Sequence, residues 1–275
     1  MLTYKDKTAI VTGAGSGIGL AISKELIARG TKVWLADINE KEVRSASAEL
    51  GSHAYPVLLD VRNAREIKTL VEQIVDNHDS IDFLFNNAGI GIGGETHKLG
   101  VEHFDRIIDI NIKGVMNGIA AVYPIMVKQG HGCIVNTSSI AGLIPAPLMV
   151  DYSLTKHALV GLSRSLRIEA KEHGVQINVL CSAAIETPIL DAKGPSDLSN
   201  LRNYSLRDYV STFGKPYPVH KFAKHVLDKI KSNKEIIVAP FPGWLVAKLF
   251  RIVPGLILNT VRKNYLKELK KHSKL

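Results

Sequence analysis

Two residues four places apart in "DYSLTKHALVG" (151–161), Tyr152 and Lys156, pair a phenol with an ammonium. In a helix, positions i and i+4 share one face, so the two side chains can work together on a proton. A phenol with an ordinary pKa near 10 is a poor base at neutral pH, and lowering it by about three units needs roughly 4 kcal/mol of preference for the phenolate. A neighbouring ammonium and the amino end of a helix both act in that direction. The same spacing recurs in "YPVHK" as Tyr217 and Lys221, so spacing alone does not choose between the pairs.

A second chemical signal is "TGAGSGIG", residues 12–19, between an apolar run and a helical pattern. Gly13 permits a tight turn, Gly17 lets a diphosphate approach the backbone, and Gly19 lets the helix pack closely on a sheet, with Ser16 and Ile18 completing the loop. Asp37 closes the second apolar run, where a carboxylate accepts hydrogen bonds from ribose hydroxyls and repels a 2′-phosphate. No arginine adjoins it in "LADINE", so NAD is favoured over NADP. The other reading of Asp37, a cap for the helix beginning near residue 40, stays open.

The elements that must position these groups alternate strictly. Strands are predicted at 7–12, 32–37, 54–60, 81–85, 132–138, 175–181 and 235–239, and helices at 18–29, 40–50, 63–77, 101–129, 152–173 and 219–232. That order predicts an α/β fold with a doubly wound, seven-stranded parallel sheet, a Rossmann fold, with ligands at the carboxyl ends of the strands. Residues 1–240 are expected to form one domain, and 241–275 a C-terminal helical extension. Of the net charge of +9, the extension carries +7, with eight Lys and Arg against Glu268 alone. The body of the chain is therefore near neutral, which argues against a nucleic-acid partner. The ten His lack metal-ligand spacing, so no metal is expected. Cys133 and Cys181 lie in apolar strands and read as buried thiols in a reducing cytoplasm; the opening "MLTYKDKTAIV" predicts no signal peptide.

Together these residues resemble the short-chain dehydrogenase/reductase family over about residues 5–240. The resemblance rests on the glycine loop, Asp60-Val61 after the third strand, "NNAG" (Asn86 to Gly89) after the fourth, Asn111 in the long helix, Ser139 after the fifth, and "YSLTK". The thirteen positions from Ser139 to Tyr152 select Ser139 over Ser138 and the pair Tyr152/Lys156 over Tyr217/Lys221. The family implies Tyr152 as general acid/base, its phenol also lowered by the positive oxidised nicotinamide. It implies Lys156 on the nicotinamide ribose, Ser139 on the substrate oxygen, and Asn111 supporting a water relay. Cofactor contacts are implied at Asp60, Val61, Asn87, Ala88, Gly89, Ile185 and Thr187. A homodimer or homotetramer through helices 101–129 and 152–173 is also implied. One departure stands out: Ser182-Ala183 replaces the family's Pro-Gly after the sixth strand, which threatens strain if that position needs positive φ.

Residues 186–217 match the family's substrate lid. Leu190, Leu198, Leu201, Tyr204, Tyr209, Val210 and Phe213 give it an apolar side, continued by Ile140, Leu143 and Ile144. A lipophilic alcohol or ketone is expected; the same side chains could simply pack the lid onto the domain. The extension is interrupted by Lys248, Arg251 and Pro254 before it could span a bilayer. After Pro254, Leu258, Val261, Tyr265 and Leu269 form an apolar stripe beside basic residues, a pattern that suits either an anionic membrane surface or packing on protein. The leading expectation is an NAD-dependent alcohol/ketone oxidoreductase, cytoplasmic or peripheral at a membrane. An NADPH-dependent ketoacyl-type reductase and a catalytically idle nucleotide sensor are the rivals.

Overall fold

The computed structural model describes residues 2–92, 94–191 and 206–272. Seven strands form one parallel sheet: β1 (Thr8–Thr12), β2 (Lys32–Asp37), β3 (Ala54–Leu58), β4 (Phe83–Asn86), β5 (Gly132–Ser139), β6 (Val175–Ser182) and, at the far edge, Ile236–Ala239. Between β6 and that edge strand, β7 (Ile185–Glu186) and β8 (Tyr217–Pro218) pair as a separate two-stranded ribbon, so the edge strand is β9. The sheet order 3-2-1-4-5-6-9 reverses between β1 and β4, and the crevice opens at that switch point. Each strand predicted for the main sheet is present, with bounds within two residues or so of those expected.

Period-two alternation sends successive side chains to opposite faces. On one face Val11, Leu35, Phe85 and Val135 meet α1 (Gly17–Ala28), α2 (Glu40–Leu50) and α8 (Val219–Lys231) through Ile22, Leu26, Val43, Phe222 and Val226. On the other, Ile10, Trp34, Leu84 and Ile134 meet α3 (Ala64–His78) and α5 (Gly114–Gln129) through Ile67, Val71, Ile74, Val122 and Met126. Burying each such side chain contributes about 1.5–3 kcal/mol, and this two-sided core fixes where the strand ends lie. Cys133 and Cys181 are buried free thiols.

The single helix expected over 101–129 is interrupted. It comprises α4 (Val101–Ile108), a π-turn (Asp109–Lys113) in which the Gly114 N–H donates to the Asp109 carbonyl, and α5. By length and composition Val101–Gln129 could cross a membrane, yet one side of it covers the sheet. The α6 helix (Val150–Lys171) packs beside β5 and β6.

In the lid, the described part contains a 3₁₀ turn (Pro188–Leu190) and α7 (Leu206–Ser211). Leu190 and Tyr209 are buried and Phe213 is exposed; Leu198, Leu201 and Tyr204 lie outside the described residues. Arg207 ties α7 to the amino end of the lid, donating to Glu186 and Asp191 at 2.6–2.9 Å, and it holds both carboxyls below their usual range.

Two helices end the chain, α9 (Phe241–Ile252) and α10 (Pro254–His272), packed against each other. Of the two directions open to the apolar stripe, an anionic membrane surface or packing on protein, the structure shows the second. Val261 is 5% exposed beside buried Ile257, and Tyr265 and Leu269 are half-buried, leaving only Leu258 of that stripe outside. A helix this short of other support gains more from closing its apolar side on α9 than from leaving it in water.

Candidate active site

Every expected site residue but Asn111, which sits on the π-turn between α4 and α5, lies near the carboxyl end of a strand or in the first two turns of the helix beyond. Gly13 and Gly17 have φ of +64° and +55°, conformations open to glycine at little cost. Ser16 is the N-cap of α1 but makes no side-chain cap bond. The first N–H groups of α1, at Gly17, Ile18 and Gly19, therefore point along the helix axis into the crevice, as a diphosphate requires. Across the crevice, a β-carbon built on Gly17 would be 3.5 Å from the Thr187 methyl. Thr187 thus faces the glycine loop, with Ile185 buried in the core behind it, and the loop fits a dinucleotide.

The Asp37 carboxylate accepts the Gly15 N–H at 2.8 Å and the Asn39 N–H at 2.9 Å. Its alternative role passes to Asn39, whose side chain caps α2 by accepting the Glu42 N–H. Asp37 is thereby fixed beside the loop with part of its surface exposed. Asp60 is gripped by Arg62 at 2.6–3.0 Å, which lowers its carboxyl pKa, while Val61 packs against α5 at Gly114.

Sequence reasoning passed over Thr12 and Thr137, which organise the floor of the site. Thr12 Oγ1 donates to the Phe85 carbonyl at 3.3 Å and accepts the N–H groups of Asn87 and Ala88 at 3.0 Å. Asn87 returns its amide to the Thr12 and Gly13 carbonyls at 3.1 and 3.4 Å and accepts from Thr137 Oγ1 at 3.3 Å. The "NNAG" segment thus clamps the glycine loop to β5. Only the neighbour relation of β1, β4 and β5 could reveal this, because the residues are far apart in sequence.

At the catalytic end Ser139, Tyr152, Lys156 and Asn111 converge. Ser139 Oγ donates to the Ser182 carbonyl at 3.3 Å, accepts the Ala141 N–H at 3.2 Å and hydrogen-bonds Tyr152. Ser138, on the opposite pleat, donates to the Lys156 carbonyl at 2.7 Å; it anchors α6 and is turned away from the crevice. Lys156 Nζ lies 5.3 Å from the centre of the Tyr152 ring and donates to the Thr137 carbonyl at 2.8 Å. Asn111, on the π-turn, accepts the Ile90 N–H at 2.9 Å and donates to the Ile90 carbonyl at 3.0 Å and Thr155 Oγ1 at 3.2 Å. A β-carbon on Gly89 would lie 3.1 Å from Asn111 Oδ1 and 3.7 Å from Lys156 Nζ, so the three residues meet. In contrast Tyr217 belongs to β8, with Lys221 on the separate helix α8, so no shared helical face joins that pair.

Burial dominates what the chain's own groups do to the phenol. Burial pushes Tyr152 up to about 12, and the Ser139 hydrogen bond offsets this only in part. Burial also pulls Lys156 down to about 8. Desolvation by the protein thus outweighs the attraction between the two groups, and the chain's own groups leave Tyr152 protonated at neutral pH. Ala183 brings no strain: the described non-glycine residues with positive φ are Asp6, Asp79, Leu148 and Asn233. Its N–H pairs with the Ala239 carbonyl at 2.9 Å. Among the described residues no cluster of three potential metal ligands occurs.

Comparison with known proteins agrees with this layout. The family model described as short chain dehydrogenase matches residues 7–197. The 2,5-dichloro-2,5-cyclohexadiene-1,4-diol dehydrogenase of Sphingobium indicum is 33% identical over 226 residues, 82% of this chain and 87% of that one. Levodione reductase of Leifsonia aquatica is 31% identical over 194 residues, 68% and 73% of the two chains. A crystal structure of a short-chain dehydrogenase/reductase from Burkholderia phymatum in complex with NAD superposes with a TM-score of 0.83 at 28% identity, covering 93% of this chain and 96% of that one.

Proposed function

The chain belongs to the short-chain dehydrogenase/reductase family, and from that premise we propose that it interconverts a lipophilic secondary alcohol and its ketone with NAD. The convergence of Ser139, Tyr152 and Lys156 at the end of β5, facing the glycine loop, carries this reading. When bound, the nicotinamide supplies or accepts the hydride. Ser139 and Tyr152 hold the substrate oxygen between their hydroxyls, and Tyr152 gives that oxygen a proton in reduction or takes it in oxidation. Lys156, with one of its three N–H groups on the Thr137 carbonyl, keeps two for the nicotinamide ribose. Asn111 supports this end of the site by fixing Ile90 through two hydrogen bonds. Half-buried Ile140 and Leu143 with buried Ile144 make the neighbouring wall apolar and favour a lipophilic substrate; two relatives are named for a cyclic diol and for levodione. Incubating the protein with NAD and a panel of lipophilic alcohols, and following nicotinamide absorbance, tests the reading. No turnover with any alcohol, or turnover only with NADP, overturns it.

The cofactor choice rests on Asp37. NAD should exceed NADP in kcat/KM, and Asp37→Ala should narrow that ratio by roughly tenfold or more as the repulsion of a 2′-phosphate disappears. Because Asp37 also holds the Gly15 N–H, the variant should lose some affinity for both cofactors; an unchanged ratio in paired titrations would remove Asp37 from the selection.

A homo-oligomer is the expected assembly. The helices α4 to α6 carry exposed Val101, Met116, Val150, Leu154 and Ile168, the last 76% exposed, more apolar surface than isolated helices on a sheet need to show. Light scattering should give a dimer or tetramer at micromolar concentration, and Ile168→Glu should shift it to a smaller species. A monomeric wild type refutes this.

A further inference from the structure

We propose that α9 and its turn into α10 form a docking face for an anionic lipid bilayer, lying in the plane of the membrane beside the substrate cleft. Phe241, Leu245, Lys248 and Ile252 recur at steps of three and four on the outer side of α9, flanked by Trp244 and Arg251. Phe241 is 70% exposed and Ile252 75%, and Val253 and Leu256 extend the apolar surface around the turn. Eight of the seventeen exposed large apolar side chains described lie between 241 and 266, so the surface is a patch rather than scatter. The aromatic pair at its amino end is ordered, with the Phe241 and Trp244 rings stacked 5.6 Å apart and Lys248 Nζ 5.6 Å above the indole. An indole beside a lysine that can extend its ammonium toward headgroups is an interfacial combination.

Charge decides between a bilayer and a second copy of the chain. Lys248, Arg251, Arg262, Lys263 and Lys267 form no ion pair among the described residues, and Glu268 is the sole acid after residue 240. A twofold contact through this face would set Lys248 and Arg251 against their own copies, which costs energy as each is desolvated. Anionic headgroups would satisfy them. Position adds a reason for the arrangement. The inner side of α9 rests on the active-site rim, where a β-carbon on Gly243 would be 3.2 Å from Ala183 Cβ and 3.8 Å from Ile140 Cδ1. Docking by α9 therefore brings the cleft within one helix diameter of the membrane, where a lipophilic substrate dissolves.

Vesicle co-sedimentation of the full chain tests this with phosphatidylcholine alone and with about one-third phosphatidylserine, at about 0.05 M and about 0.5 M salt. The wild type should pellet with the anionic vesicles, far less with the neutral ones, and less at high salt. The Lys248→Glu/Arg251→Glu variant should weaken binding by about tenfold or more. The Phe241→Ser/Trp244→Ser/Ile252→Ser variant should abolish it. All the substituted side chains are exposed, and unchanged NAD-dependent melting shows that the fold is kept; should the serine variant unfold, the charge variant alone carries the test. A wild type that ignores anionic vesicles, or binds them as strongly after charge reversal, overturns the proposal. A serine variant that falls to a smaller species in solution while wild type ignores both vesicle types assigns the face to a second copy instead. None of these outcomes bears on turnover.

Discussion

Tyr152→Phe should lower kcat by a factor on the order of 10² or more while leaving NAD affinity within about twofold. The substitution keeps the ring that Lys156 overlies at 5.3 Å and removes only the hydroxyl that pairs with Ser139. Tyr217→Phe, on the β8 ribbon, should leave turnover unchanged. The pH profile supplies a second readout. Oxidation needs the phenolate, so its rate should climb as pH rises toward the Tyr152 value of about 12. The climb should flatten above about 8, where Lys156 begins to lose the positive charge that supports the phenolate. Reduction needs the phenol and should hold steady at neutral pH. The phenylalanine variant should lose the alkaline rise altogether; retention of both rate and profile would show that another group moves the proton.

Gly19→Ala should be the most damaging single change on the cofactor side. Gly19 is buried in the first turn of α1, and a β-carbon there would overlap the Gly13 carbonyl oxygen and lie 2.7 Å from Asn87 Nδ2. Both obstacles belong to the clamp between the glycine loop and β4, so neither can yield without moving the loop. Overpacking of this kind costs about 1–3 kcal/mol in stability, and a displaced loop should weaken NAD binding on the order of a hundredfold. Gly161→Ala, in α6 with nothing within 4 Å of a β-carbon, is the matched control and should be neutral or slightly stabilising. Thermal melts with and without NAD separate the two effects; a Gly19→Ala protein that binds NAD normally would mean the loop is more compliant than its contacts indicate.

The strands, the order of helices and the residues around Tyr152 were legible because period and spacing are local properties of the chain. Thr12 and Thr137 were not, since their partners are brought together by strand adjacency that no window of sequence displays. Ser138 could be set apart from Ser139 by family spacing, but its bond to the Lys156 carbonyl depends on how α6 lies against β5. The upward push of burial on the phenol was not legible, because neighbouring charges can be read from sequence and burial cannot. In the extension the helical period after Pro254 was legible, and of the two directions open to its stripe the structure shows packing on protein. An apolar stripe announces that something covers it, and here α9, a helix absent from the expected list, covers much of it.

The π-turn at Asp109–Lys113 has a consequence for how this chain tolerates insertion and deletion. A π-turn accommodates about one residue more than an α-turn, so removing one residue from 109–113 would let α4 and α5 fuse into an unbroken α-helix, which the backbone accepts readily. The two halves would keep their phase, because the wide turn already absorbs the surplus residue, and only side chains within that turn would be re-aimed, by about 100° for a one-residue step. Asn111 would then lose its aim at Ile90 and Thr155, while Val115, Val122 and Met126 stayed in the core. The surplus residue thus re-aims one turn of a continuous element, so that its flanks keep to their packing while Asn111 in the wide turn serves the residues beside α6. A shortened descendant of this chain would keep its fold at the expense of that aim.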